Sequence, residues 1–180
     1  HNVQAIAGKG NRILLDVYEK LLTKHKLTDA DHRWRVIHAQ VAHPERLVVC
    51  VSGDASIMMN IQQLSTAIQH RTPVKVVLSN NGYMGMVRQW QQLIHGNRLS
   101  HSWTAALPDF VALAKAFGWG ARSVDRPQDL SAALAECLAH DGPFFLDVRV
   151  AAQENCYPMM PAGRGHHEIM LADNRWYRES

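Results

Sequence analysis

Apolar residues follow two alternating rhythms along this chain. Leu47-Val48-Val49-Cys50-Val51, Val74-Lys75-Val76-Val77-Leu78 and Phe144 to Val150 are short, nearly unbroken runs. They read as strands, because a parallel strand is covered on both faces and loses its polar alternation. Ala121 to Val124 predicts one more, shorter strand. Between these runs the spacing turns helical. Ser56 to about His70 predicts one helix and Met84 to about His95 a second. Pro108 opens a third that runs to Phe117 and stops at Gly118. Pro127 to His140 predicts a fourth, with Leu130, Ala133, Leu134 and Leu138 on its buried stripe. The polar stretch Gly96 to Ser102 reads as loop. Strands alternating with helices predict an α/β fold: a doubly wound, mostly parallel sheet with helices on both faces.

Composition narrows the class. With 180 residues, 47% hydrophobic and 19% charged, the chain is globular and suits one core. No apolar run approaches the roughly 18 residues of a membrane helix, so no membrane partner is expected. The net charge of +3 comes from dispersed Lys and Arg, with Lys24, Lys26, Arg33 and Arg35 flanking Asp29 and Asp31. That is a solvated surface, and no nucleic-acid partner is expected. Cys50, Cys137 and Cys156 are odd in number and widely spaced, which predicts no disulfide framework and a reducing, cytoplasmic compartment. Cys50 falls inside a strand and reads as core. The chain opens at His1 without a charged-then-apolar leader, so no signal peptide is expected and the chain reads as a fragment.

Candidate chemistry sits where two strands end. The first closes in Gly53-Asp54-Ala55-Ser56 and the second in Asn80-Asn81, with the 24 residues from Ser56 to Ser79 between them. A helix over Ser56 to His70 rises roughly 22 Å, and a returning strand covers about 20 Å, so the chain comes back to the edge it left. In a right-handed βαβ unit both strands present their carboxyl ends on one rim, where ligands bind in open α/β folds. Magnesium takes oxygen ligands from one or two carboxylates or amides plus substrate phosphates, and Asp54 and Asn81 supply that pair. Free N–H groups at the start of the Ser56 helix would face any anion bound there. Each half alone also reads as an ordinary turn with a helix cap and an ordinary loop.

Together with its flanking residues, the pattern resembles the thiamine-diphosphate motif. Met58 to Ala67, Thr72 to Val77, Gly85-Met86-Val87-Arg88-Gln89-Trp90-Gln91, Leu107-Pro108-Asp109-Phe110 and Tyr157-Pro158-Met159 resemble the acetohydroxyacid synthase (acetolactate synthase) catalytic large subunit, from about Ala39 to Ala162. The resemblance implies a thiamine-diphosphate-binding fold over the binding domain (39–162), which leaves an atypical N-terminal helical segment (1–38) before it and a C-terminal tail (163–180) after it. It implies magnesium held by Asp54, Asn81 and the carbonyl of Tyr83, with Gly53, Ala55 and Ser56 at the diphosphate. Gly85 and Met86 would lie along the cofactor, Met84 beside its pyrimidine, and Trp90 at the substrate and herbicide channel. The implied reaction joins pyruvate to a second pyruvate or to 2-ketobutyrate in branched-chain amino-acid biosynthesis. Such proteins are homo-oligomers that commonly have a regulatory small subunit, and FAD in the full-length family protein would be bound outside this chain.

Two departures bear on that transfer. The family's glycine-rich segment before the position of Ala39 has no counterpart, since no glycine occurs between Gly10 and Gly53. Asn11 to Leu22 instead predicts an amphipathic helix with Ile13, Leu14, Val17, Tyr18, Leu21 and Leu22 on one face. The family's activating glutamate belongs to a separate pyrimidine-binding domain, so no catalytic residue is expected here and the isolated chain should not turn over. The alternatives are another thiamine-diphosphate carboligase or decarboxylase, and a non-catalytic remnant or interaction module. Gly8-Lys9-Gly10-Asn11 lacks the spacing of a phosphate loop and reads as a flexible terminus. His166-His167-Glu168 lacks a helix-borne metal spacing and reads as a solvated tail or lid. Met58 and Met59 read as core, and core packing is an alternative role for Trp90.

Overall fold

The computed structural model describes residues 36–172 and 175–176. The readings of Gly8 to Asn11, of Asn11 to Leu22 and of most of the segment 1–38 lie outside the described residues.

Four strands form one parallel sheet: β1 (Val49–Gly53), β2 (Lys75–Asn80), β3 (Gly120–Val124) and β4 (Phe144–Arg149), in the order β1-β2-β4-β3. The helices are α1 (Val36–Ala42), α2 (Asp54–Met58), α3 (Gln63–Gln69), α4 (Gly85–Leu93), α5 (Phe110–Ala116) and α6 (Leu130–Ala139). A short antiparallel pair, β5 (Met170–Ala172) and β6 (Arg175–Trp176), follows. Strand order explains the two-sided covering. The crossover from β2 passes over β4 to reach β3, and the chain then returns to β4, so right-handed connections put their helices on opposite faces.

Alternate residues of each strand accordingly enter different cores. Cys50, Val76, Leu78 and Phe145 pack with Ile57, Leu64, Ala67, Phe110, Ala114 and Trp119 under α2, α3 and α5. Val77, Phe144, Leu146 and Val148 pack with Leu130, Ala133, Leu134 and Cys137 of α6 on the other face. Phe145 is fully buried, stacked on Phe110 at 6.0 Å and edge-on to Trp119 at 6.4 Å. The Trp119 indole N–H donates to the Leu64 carbonyl at 2.9 Å, so the ring's polar end is satisfied inside the core.

Three expectations need correction. The single helix over Ser56 to His70 is two, α2 and α3, joined by turns in which Gln63 and Leu64 donate to the carbonyls three residues back, of Asn60 and Ile61. Asn60 sits at this break, and asparagine is a poor helix-interior residue because its side chain competes for backbone groups. The break turns Met58 and Met59 outward, Met59 to 69% exposure, so they are not core. On α6 the inward stripe is Leu130, Ala133, Leu134 and Cys137, the i, i+3, i+4, i+7 set, and Leu138 is half-buried beside it. Gly118 lies at φ +86 after α5, the left-handed stop that glycine adopts without strain.

Lys75 is buried at the amino end of β2. Its ammonium donates to the carbonyls of His140 and Gly142 just beyond α6, and burial lowers its pKa. Residues 163–172 fold back onto the domain. Met170 is buried and pairs with Met159 through N–H to carbonyl bonds of 2.8 and 2.9 Å.

Cysteine burial has a measurable consequence. Desolvation pushes the Cys50 and Cys137 thiols up to about 11. At pH 8 the thiolate fraction of such groups is about one in a thousand. Iodoacetamide at pH 8 is therefore expected to alkylate half-buried Cys156 first, with Cys50 and Cys137 reacting after denaturation. Equal rates at the three sites, read by peptide mass spectrometry, would contradict this burial pattern.

Candidate functional site

The carboxyl ends of β1, β2 and β4 make one polar rim. Gly53 pairs with Ser79, so Asp54, the first residue of α2, stands level with Asn80. Asn80 follows Leu78 by two residues and Asp147 follows Phe145 by two, which places both on the core face beneath α2 and α5. Asp54 is 1% exposed. Its Oδ1 accepts from the Ala55 N–H at 2.7 Å and its Oδ2 from the Gly82 N–H at 2.6 Å. The second bond joins the two halves of the motif, 28 positions apart. Burial raises the Asp54 pKa, the two backbone N–H donors oppose it, and the Asp147 charge adds to it.

Gly82 lies at φ +69, a conformation that suits glycine and turns the chain sharply after Asn81. Beyond it Tyr83 pairs antiparallel with Trp103: Thr104 donates to the Gly82 carbonyl at 3.0 Å, and Met84 donates to the Ser102 carbonyl at 2.8 Å. In an extended strand the N–H and C=O of one residue share an edge, and neighbouring residues use the opposite one. The N–H and carbonyl of Tyr83 therefore face away from Ser102 and Thr104, and the N–H donates to Asn81 Oδ1 at 3.2 Å. Asp54 at the start of α2 and the Asn81 to Tyr83 loop, which offer a carboxylate, an amide oxygen and a backbone carbonyl, are drawn together by the Asp54 to Gly82 bond. Each Asp54 oxygen keeps a lone pair beyond the one bound to N–H.

Hard oxygens of this kind are what magnesium takes. Asn80 Oδ1 is buried and accepts no hydrogen bond from the described residues. A water bound nearby would supply the donor it lacks. The residues present fit the cation.

The remaining expected residues take varied positions. Ser56 is exposed on the first turn of α2 and Ala55 is half-buried. One detail of the anion expectation changes, because the Ala55 N–H is already bound to Asp54 and is not free as arranged. Met84 caps α4, Gly85 begins it, and Met86 and Trp90 lie one turn apart on it, both half-buried. His166 to Glu168 form a single 3-10 turn in which the Glu168 carboxylate accepts from Gly165 N–H at 3.1 Å and from Arg164 at 2.5 Å. No group of three or more His, Cys, Asp or Glu that could hold a metal occurs among the described residues.

Two features escaped the sequence reading. Asp147 is buried and accepts from Asn80 Nδ2 at 3.0 Å; a carboxylate inside the apolar run Phe144 to Val148 was the signal. The other is a polar clamp under α4. Arg88, 2% exposed, donates to Gln92 Oε1 at 2.5 Å, to Asn155 Oδ1 at 2.6 Å and to the Glu154 carbonyl at 3.0 Å. Gln89 accepts from the Cys156 N–H at 2.7 Å and donates to the Cys156 carbonyl at 3.1 Å. The clamp fastens α4, with Met86 and Trp90, to the segment that carries Tyr157-Pro158-Met159.

Comparison with known proteins defines the class. Residues 36–148 match the family described as thiamine pyrophosphate enzyme, C-terminal TPP binding domain, and the chain belongs to that family. Its curated relatives include the acetolactate synthase large subunit of Porphyra purpurea, 47% identical over 135 residues, or 74% of this chain and 23% of that protein. The acetolactate synthase isozyme 3 large subunit of Escherichia coli is 46% identical over 136 residues, 74% of this chain and 24% of that protein. The chain thus spans about a quarter of the length of these relatives. Among solved structures, the thiamine diphosphate-dependent 4-hydroxybenzoylformate decarboxylase of Rhodococcus jostii matches with TM-score 0.61 and 30% identity, over 67% of this chain and 23% of that one. No described helix is long and apolar enough to cross a membrane.

Proposed function

We propose that this chain is the cofactor-binding domain of an acetolactate synthase, which condenses pyruvate with pyruvate or 2-ketobutyrate for branched-chain amino acids. The observation that carries this reading is the bond from the Gly82 N–H to Asp54, which ties the two motif halves into one oxygen-lined site. Asp54, Asn81 and the Tyr83 carbonyl hold magnesium in this reading. Gly53, Ala55 and Ser56 lie at the diphosphate, Gly85 and Met86 along the cofactor, Met84 at the pyrimidine, and Trp90 at the substrate channel. Thiamine diphosphate, when bound, supplies the carbon nucleophile and electron sink. The chain's own residues orient it: Asp54 places negative charge opposite the cation, and the Arg88 and Gln89 clamp fastens α4 to residues 154–156.

The binding domain proper is residues 39–162. Homo-oligomers, a regulatory small subunit, FAD held outside this chain and a cytoplasmic location complete the proposal. The decarboxylase likeness favours a second reading, another thiamine-diphosphate decarboxylase or carboligase; the run Gly85 to Gln91 and the higher identity to the synthases favour the first.

Turnover needs the activating glutamate of a pyrimidine-binding domain. The purified 180-residue chain, saturated with thiamine diphosphate and magnesium, is therefore expected to form no acetolactate from pyruvate. Acetolactate made by this chain alone would overturn that requirement.

A further inference from the structure

A second buried carboxylate lies two strands along the sheet from the first. Asp147 on β4 and Asp54 after β1 are each 1% exposed, and β2 runs between their strands. Asn80, at the end of β2, is fastened to β4 twice: Nδ2 donates to Asp147 Oδ1 at 3.0 Å, and its carbonyl accepts from the Val150 N–H at 3.0 Å. Asn80 is thereby fixed one residue before Asn81, with its own Oδ1 buried and without a donor among the described residues.

Asp147 has one cation and one further acid near it. Arg149 Nε lies 3.5 Å from Asp147 Oδ2, but its side chain is 51% exposed and screened by water. Asp109 is a further acid facing Asp147. The buried cation of β2, Lys75, sits at the opposite end of the strand on the carbonyls of His140 and Gly142. A carboxylate buried without a buried cation beside it opposes folding, and a cation bound nearby would offset that cost.

We infer that Asp147 is a positioning residue for the divalent cation: it orients Asn80, and through it the Asn81 to Tyr83 loop, and adds a second buried negative charge at the rim. This rests on the magnesium site proposed above. The metal-free fold bears the cost of that charge, and the bound cation relieves it.

Asp147→Asn keeps the shape and an acceptor for Asn80 Nδ2 while removing the charge. Its metal-free Tm is expected to rise by roughly 2–4 °C, the shift of a modest stabilisation in a domain of this size. The magnesium concentration that half-saturates thiamine diphosphate binding is expected to rise about tenfold, as for loss of an outer-shell partner. A purely structural role would lower the metal-free Tm and leave the magnesium midpoint in place. Asn80→Ser, which cuts the link but keeps the charge, is expected to raise the magnesium midpoint without the gain in Tm. A metal-free Tm lowered by Asp147→Asn, or a failure of that variant to fold, overturns the inference, as does an unmoved magnesium midpoint in either variant. Absence of magnesium-dependent binding by the parent chain overturns instead the cofactor site on which the inference rests.

Discussion

Asp54→Ala is expected to weaken magnesium-dependent thiamine diphosphate binding by more than about 100-fold, since losing even an outer-shell partner costs 10–100-fold and Asp54 is proposed as a direct ligand. The substitution removes the one negative charge in the proposed ligand set. It also removes the acceptor that draws Gly82, and with it Asn81 and Tyr83, toward α2. The fold should survive, because the deleted group is a buried charge whose burial is itself unfavourable. Calorimetric titration of the variant, alongside its circular dichroism, checks both parts. Binding of parental affinity would refute the role given to Asp54.

Phe145→Ala should instead damage the scaffold, by about 3–5 kcal/mol, the usual cost of truncating a fully buried phenylalanine. Phe145 lies on a strand paired on both sides and contacts both Phe110 and Trp119, so its cavity cannot collapse without moving α5 or β3. For a domain of this size the fall in Tm is about 6–20 °C. Asp147 lies two residues further along β4, so loosening there also reaches the rim. A Tm within about 2 °C of the parent would show that this aromatic cluster is not the centre of the core.

Much of this architecture was legible because strand and helix periods differ, and the apolar runs around Val49, Val76 and Phe145 mark the sheet. Each of the first two strands nevertheless runs two residues past its apolar stretch, to Gly53 and Asn80. The reason is the polar rim. Strand ends there carry polar residues, so hydrophobicity fades before the ladder does. The break at Asn60 was hidden because Ile57, Ile61, Leu64 and Ala67 keep helical spacing across it, and spacing does not register a tightened turn. At the site, the local motif residues could be read along the chain. Asn80 with Asp147, and Arg88 with Asn155, are each 67 positions apart and meet only through the sheet order and the return of the chain over α4.

The most direct test is a calorimetric titration of the 180-residue chain with thiamine diphosphate, with saturating magnesium and again with EDTA. One-site binding in magnesium that disappears in EDTA is the predicted result. No binding in either condition, or the same binding in both, would contradict a cofactor site built on Asp54, Asn81 and Tyr83.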